Sequence, residues 1–202
     1  MISRRVLDEL AASHPAWPHA LETAGTANMG FAQIELGERM LRLPELIWGP
    51  YHLAGSSVVS RRSGVFEEML SEMMTGPIIG ALGGNLLKRF RIEIDYANQT
   101  TYLEQYDAPE AHDMDVIGLT LEPQMNGSYL VRGIATGGTA PQVAKHIQVG
   151  DKLLRVDDQE ITGLSMASAV NALRGVPGQE HILRLERAGQ SIEVSVPVAR
   201  IL

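Results

Sequence analysis

After Asp115 the chain breaks into short alternating strands separated by glycine and proline turns, and this rhythm restricts the fold more than any other feature. Strands are expected at 117–121, 129–134, 152–156, 181–187 and 191–196, with helices at 141–146 and 166–174. Ser165 stands before the second helix as a cap, and Met166, Ala169, Val170 and Leu173 recur along one of its faces. Turns fall at Gly137-Gly138, Val149-Gly150-Asp151 and Pro177-Gly178. Strands this short cannot bury an apolar face alone. They must close on one another as a sandwich or barrel, with the helices packed against it.

The first half has a looser pattern. An amphipathic helix is expected at 2–10, with Ser3 capping it and Val6, Leu7, Leu10 and Ala11 on one face. Residues 14–30 read as loop or flap. Residues 31–36 alternate, Gly37-Glu38 turns, and 40–43 return, which predicts strand, turn, strand. The apolar run 46–59 is broken by Gly49-Pro50 and Gly55-Ser56. A helix is expected at 65–74, with Phe66, Met69, Leu70 and Met73 on one side and Met69, Met73 and Met74 in a core. A glycine-punctuated apolar strand then runs into a short helix by Phe90. Residues 91–96 and 100–104 follow as the two arms of a hairpin. The polar, acidic stretch 105–114 has no periodicity and contains Pro109, so it reads as a linker between a unit at 1–104 and another at 115–202.

Composition excludes several functions. Of 202 residues 45% are hydrophobic and 20% charged, too apolar for a disordered chain. A net charge of −7 with scattered basic residues argues against a nucleic-acid surface. Cysteine is absent, which removes disulfides, zinc-thiolate sites and thiol nucleophiles. The six histidines lack paired-ligand spacing, so no metal is expected. The glycines at 80, 83 and 84 precede no Gly-Lys-Ser/Thr, so no phosphate loop and no cofactor is expected. Arg4 and Arg5 lead into Asp8 and Glu9 instead of an apolar signal region, and the run 77–87 is too short to span a bilayer. The chain is expected to be soluble. Its compartment is open, and export to a periplasm is compatible if a segment precedes Met1.

The order of elements after Asp115, with Val116-Ile117-Gly118-Leu119 at the mouth of a strand and the run 138–161 containing its Gly-Asp turn, resembles a PDZ domain of the bacterial type. The resemblance implies strand addition, with a partner peptide lying between the strand at Leu119, Thr120 and Leu121 and the helix beginning at Met166. It assigns Ile117, Gly118 and Leu119 to a loop whose N–H groups receive a terminal carboxylate. Ile117, Leu119, Val170 and Leu173 would line the pocket for the last side chain, and Met166 would meet the side chain two residues back. Relatives with histidine there favour a hydroxyl; methionine implies an apolar residue. The alternative for Val170 and Leu173 is an ordinary core role, and Asp151 reads as a turn cap.

In the first half, Ala81-Leu82-Gly83, the short helix after it, the strand ending in Asp95-Tyr96 and the strand at 100–103 resemble the closing segment of retropepsin-like aspartic proteases, with Ile78-Ile79-Gly80 as a second frame. The implied fold is mainly β with short helices (α+β): a partial acid-protease-like lobe, then a PDZ sandwich or barrel with two helices. Such proteases use paired Asp-Thr/Ser-Gly motifs, whose carboxylates share a proton and activate water. None of the aspartates here is followed by Thr-Gly or Ser-Gly. No catalytic residue is therefore assigned, and the chain as it stands is expected to be inactive. In the family the motif would lie just upstream of Met1, which suggests a truncated chain, with a missing first lobe or a dimer needed to complete a site. The alternative is a noncatalytic adaptor with a degenerate lobe. Either way the expected partner is a peptide or protein, through its C-terminus or an extended segment.

Overall fold

The computed structural model describes residues 1–22, 25–26, 28–29, 34–35, 37–62, 64–106, 113–137 and 146–202. The first half contains β1 (Ile2–Ser3), α1 (Arg4–Ser13), β2 (His19–Leu21), β3 (Gly25–Thr26), β4 (Asn28–Met29), β5 (Ile34–Glu35), β6 (Arg39–Trp48) and β7 (Tyr51–Arg61). A π-helical turn (Val65–Leu70), α2 (Gly84–Leu87), β8 (Phe90–Asp95) and β9 (Thr100–Gln105) complete it. The second half contains β10 (Asp115–Val116), β11 (Leu119–Pro123), β12 (Tyr129–Ile134), β13 (Lys152–Val156) and β14 (Gln159–Glu160). It ends with α3 (Met166–Ala172), β15 (Glu180–Arg187), β16 (Gln190–Pro197) and β17 (Ala199–Arg200). The chain is mainly β with a few short helices, as expected.

The dominant feature of the first half is the antiparallel pair β6–β7, in register from Met40↔Val59 to Trp48↔Tyr51. Two residues join the strands. Gly49, at φ +58°, occupies the first central position that a II′ hairpin turn requires, and Pro50 fits the second. β1 adds to β7 and β2 to β6, giving the order β1-β7-β6-β2. α1 packs Leu7 against Leu41 and Leu43, with Leu10, Ala11 and Val58 around them.

This corrects the expected strand, turn, strand at 31–43. β5 pairs with β4, while β6 runs on past Leu43 to Trp48 and pairs with β7 and β2. Alternation at 40–43 marked a strand correctly but could not identify its partner. Glu38, in the supposed surface turn, is buried: Arg4 Nη2 donates to it at 2.8 Å and Ser60 Oγ at 2.5 Å. A buried carboxylate needs such partners, and they come from α1 and β7.

Two helix readings also change. Ser3 makes no capping bond; it is buried, its N–H donates to Ile79 O at 2.8 Å, and its hydroxyl donates to Glu67. That bond, foremost, holds the Glu67 carboxyl below its ordinary range. Met73 and Met74 are not core residues, being 73% and 58% exposed. Ser71 Oγ accepts Ile78 N–H at 2.8 Å, and this tie turns the chain away before either methionine can reach inward.

The hairpin β8–β9 forms as expected, with β8 one residue earlier in the chain and β9 one residue longer. Phe90 anchors it, edge-on to Trp48 at 5.5 Å and to Tyr51 at 5.0 Å, and Tyr51 Oη donates to Leu103 O at 2.6 Å. Asp95 caps the turn by accepting from Asn98 N at 3.0 Å and Nδ2 at 2.7 Å; these bonds hold its carboxyl below the usual range.

The second half is organised on one sheet, β16-β15-β13-β12-β11, with β14 on β13. Its apolar cluster includes Leu119, Leu121, Val131, Leu153, Leu183 and Leu185, and it also takes in Ala20 and Met40 from the first half. Of the expected linker, 107–112 lie outside the described residues. Gln105 belongs to β9, while Asp113 accepts from Arg42 Nη2 and Ser57 Oγ, each at 3.0 Å, and so ties this end back to β6 and β7. No helix among the described residues is long and apolar enough to cross a membrane.

Replacing Leu7 by alanine is expected to cost about 2–5 kcal/mol in urea unfolding, the usual range for a cavity in a packed core. Met73→Ala and Met74→Ala are each expected to stay within about 0.5 kcal/mol, as exposed sites do.

Candidate peptide-binding site

The candidate site lies where β11 passes α3. β11 pairs antiparallel with β12, with an irregularity between Thr120 and Leu121. α3 begins as the sequence suggested: Ser165 Oγ accepts the Ser168 N–H at 3.2 Å. Tyr129 Oη donates to Leu164 O at 2.6 Å and fixes the approach of this helix to the sheet. Ala169 and Leu173 face inward and are fully buried, whereas Met166 and Val170 stay half-buried on the flank of the helix.

The eight residues selected from the sequence take unequal places in the structure. Ile117, Leu119, Leu121 and Leu173 have no exposed surface and belong to the central cluster, and Thr120 is likewise buried. The N–H of Ile117 donates to Leu173 O at 2.8 Å, and that of Leu119 to Ile117 O at 2.7 Å. Those two donors of the expected carboxylate loop are therefore already bonded within the domain. Gly118 serves packing: a Cβ there would lie 2.9 Å from Ala135 Cβ and 3.1 Å from Ile201 Cδ1, while its carbonyl accepts from Ala135 N at 2.7 Å. The loop is held from below by β10 and β17, whose Asp115 accepts from Arg200 Nε at 2.9 Å and Nη2 at 3.0 Å.

The outer edge of β11 is not bare. β3 pairs with it in parallel, Thr120 opposite Gly25 and Leu121 opposite Thr26, and α3 approaches β3 from the other side. The sequence at 14–30 predicts only loop or flap, because two residues are too short to display alternation. The residues missed are Gly25 and Thr26, together with Leu21, which exchanges backbone bonds with Thr136 at 3.0 and 2.9 Å.

The Gly-Asp turn behaves as read. Asp151 is buried, accepts from Gln148 N at 2.8 Å, and takes Arg187 Nε and Nη2 at 2.7 Å each. Burial pushes its carboxyl up, but the Arg187 bonds, the Gln148 amide and the Arg187 charge outweigh it and hold the group below the ordinary range. The expected helix at 141–146 and the Gly138 end of the motif lie outside the described residues, apart from His146. Among the described residues no group of three His, Asp or Glu could hold a metal ion.

A second hollow, of about 150 Å³, lies in the first half between Leu43, Leu46, Val58, Ile79, Leu82 and Leu86. It sits where the chain at Ile79–Ala81 crosses β1: Ala81 N donates to Met1 O at 2.9 Å, and Ile2 bridges Gly80.

Asp151 binds protons less readily when folded than when unfolded. Its contribution to stability is present above the unfolded pKa, about 3.9 for aspartate, and is lost as pH falls through the lower folded value. Asp151→Asn is expected to flatten the acid limb of stability below about pH 4, read from urea midpoints. Gly118→Ala is expected to destabilise by about 1–3 kcal/mol in the same measurement, the usual cost of overpacking.

Residues 114–186 match the PDZ domain family. No curated protein matches the chain. Among solved structures, 27 chains match. One is a photosystem II D1 C-terminal processing protease, 16% identical, TM-score 0.38, covering 44% of this chain and 24% of that one. Another is the PDZ domain of a carboxy-terminal protease from Vibrio cholerae in complex with peptide, 17% identical, TM-score 0.34, covering 43% and 92%. A third is an HtrA-type protease with a decapeptide, 12% identical, TM-score 0.35, covering 90% and 59%. This chain thus spans about a quarter of the first of these, and TM-scores so low mark likenesses too loose to transfer a role. The order of β10, β11, β12, β13, α3 and β15 and the family match over the same residues agree: residues 114–186 of this chain are a PDZ domain.

Proposed function

We propose that the chain binds extended peptide segments of other proteins through its PDZ domain, by strand addition along β11 beneath α3. The observation that carries this reading is the family match over 114–186, which falls on a sheet whose strand β11 has only the two-residue β3 beyond it, in contact with α3. Main-chain bonds along such an edge supply affinity, and side-chain pockets supply selectivity. Of the residues assigned from the sequence, Met166 and Val170 keep partly accessible side chains and are the ones that select. Ile117, Leu119 and Leu173 form the floor beneath them.

The finer reading is that the first half is a lobe of the retropepsin type, in a protein of the aspartic-protease kind. It is favoured by the Ala81-Leu82-Gly83 frame, the helix and hairpin that follow it, and the hollow lined by the same crossing segment. This chain contains no Asp-Thr-Gly or Asp-Ser-Gly, so it holds a peptide without hydrolysing it. Cleavage of a protein substrate at acidic pH by the purified chain, blocked by pepstatin, would contradict that statement.

Screening the chain against a displayed library of free C-termini and blocked internal peptides is expected to select apolar residues opposite Met166. Met166→His is expected to move the preference at that position toward a hydroxyl. A library that yields no binder, or a preference that Met166→His leaves unmoved, would refute the assignment.

A further inference from the structure

We infer that the peptide slot of the PDZ domain is already filled in cis, by a strap of this chain running from β2 to β3, and that an incoming peptide must displace it. The competitive part rests on the peptide-binding reading above; the occupancy does not.

The strap can be followed across the domain surface at residues 19–22 and 25–26. Ala20 is buried in the same apolar cluster as the PDZ core and lies so close to Gly137 that a Cβ on that glycine would stand 2.8 Å from the Ala20 methyl and 3.0 Å from His19 O. Gly137, at φ +153°, is where the two backbones meet. Leu21 then exchanges both backbone bonds with Thr136. At Glu22 the chain takes φ +63°, a conformation few side chains adopt, and reverses onto the sheet. The Glu22 carboxylate lies over Gly133 and Thr120: a Cβ on Gly133 would be 3.0 Å from Glu22 Oε2 and 3.0 Å from Thr120 Oγ1. Its Oε2 also accepts Gly37 N–H at 3.1 Å, which pins the strap from its far side. Gly25 and Thr26 then pair with Thr120 and Leu121, between β11 and α3.

Two features distinguish this occupant from a bound C-terminus. It runs parallel to β11, and it is an internal segment that leaves the 117–119 loop with no carboxylate to bind. The loop amides of Ile117 and Leu119 are correspondingly bonded to Leu173 O and Ile117 O. The slot thus takes a carboxylate-free internal strand from its own chain. A competing peptide sees only the fraction of molecules whose strap is released, so its apparent affinity falls by that fraction.

The test uses the full chain and a fluorescent peptide copying residues 20–29, blocked at both ends. The variant Gly25→Pro/Thr26→Pro removes two strap N–H groups and cannot pair. Leu21→Pro removes the donor to Thr136 from outside the slot. Either variant is expected to bind the peptide roughly tenfold more tightly than the unaltered chain, which must first release its strap. Hydrogen exchange without peptide is expected to show segment 119–121 protected in the unaltered chain and faster in both variants. Leu153 and Leu183 should stay protected throughout as the check on folding. Equal exchange at 119–121 in all three proteins overturns the inference, as does equal peptide affinity. Protection lost in the variants with no peptide binding anywhere upholds the strap and sinks the peptide-binding reading.

Discussion

A strand at the end of a sheet carries a row of backbone N–H and C=O groups along one side, and they must be solvated or paired. In this protein β11 is the last strand that the PDZ half contributes to its sheet. One side is taken by β12, and the other lies toward β3, which α3 contacts in turn. A two-residue strand from the opposite end of the chain meets part of this demand. The pairing also joins the halves: Ala20 and Met40 enter the PDZ core, and Asp113 binds Arg42 and Ser57.

The same economy governs the loop before β11. Its close packing on Ala135 and Ile201 admits only glycine at 118, and its amides turn inward to Leu173 and Ile117. Under the proposed reading, a loop held in this way leaves selectivity to the half-buried flank of α3. Residues that a sequence comparison treats as one pocket therefore divide by burial. Ile117, Leu119 and Leu173 are fully buried, while Met166 and Val170 stay half-buried.

The first half is held together by polar groups as much as by its small apolar clusters. Glu38 and Ser60 are buried together with Arg4 over them, and Ser3 sits between Ile79 and Glu67. Each is a long-range contact between residues that look like surface or turn positions in the sequence. Breaking one partner would leave a buried charge or donor uncompensated, which costs more than the bond itself contributes.

Local chemistry marked the second half well. The strands at 129–134 and 152–156, the Ser165 cap, the turn at Asp151 and the helix beginning at Met166 follow from alternation, capping and turn residues within a few positions of one another. Those signals act over short separations, so a single sequence displays them. Partner choice does not act that way. Whether 40–43 pairs with 31–36 or with 56–59, whether Met73 points inward, and whether Gly25 and Thr26 belong to a flap or to the sheet at β11 depend on residues far away along the chain. The sequence by itself determined the main described strands, the helix at Met166 and the PDZ identity of the second half. Tertiary structure alone decided what lies in the slot, because backbone pairing is satisfied by whichever strand is brought within reach and leaves almost no trace in side-chain pattern.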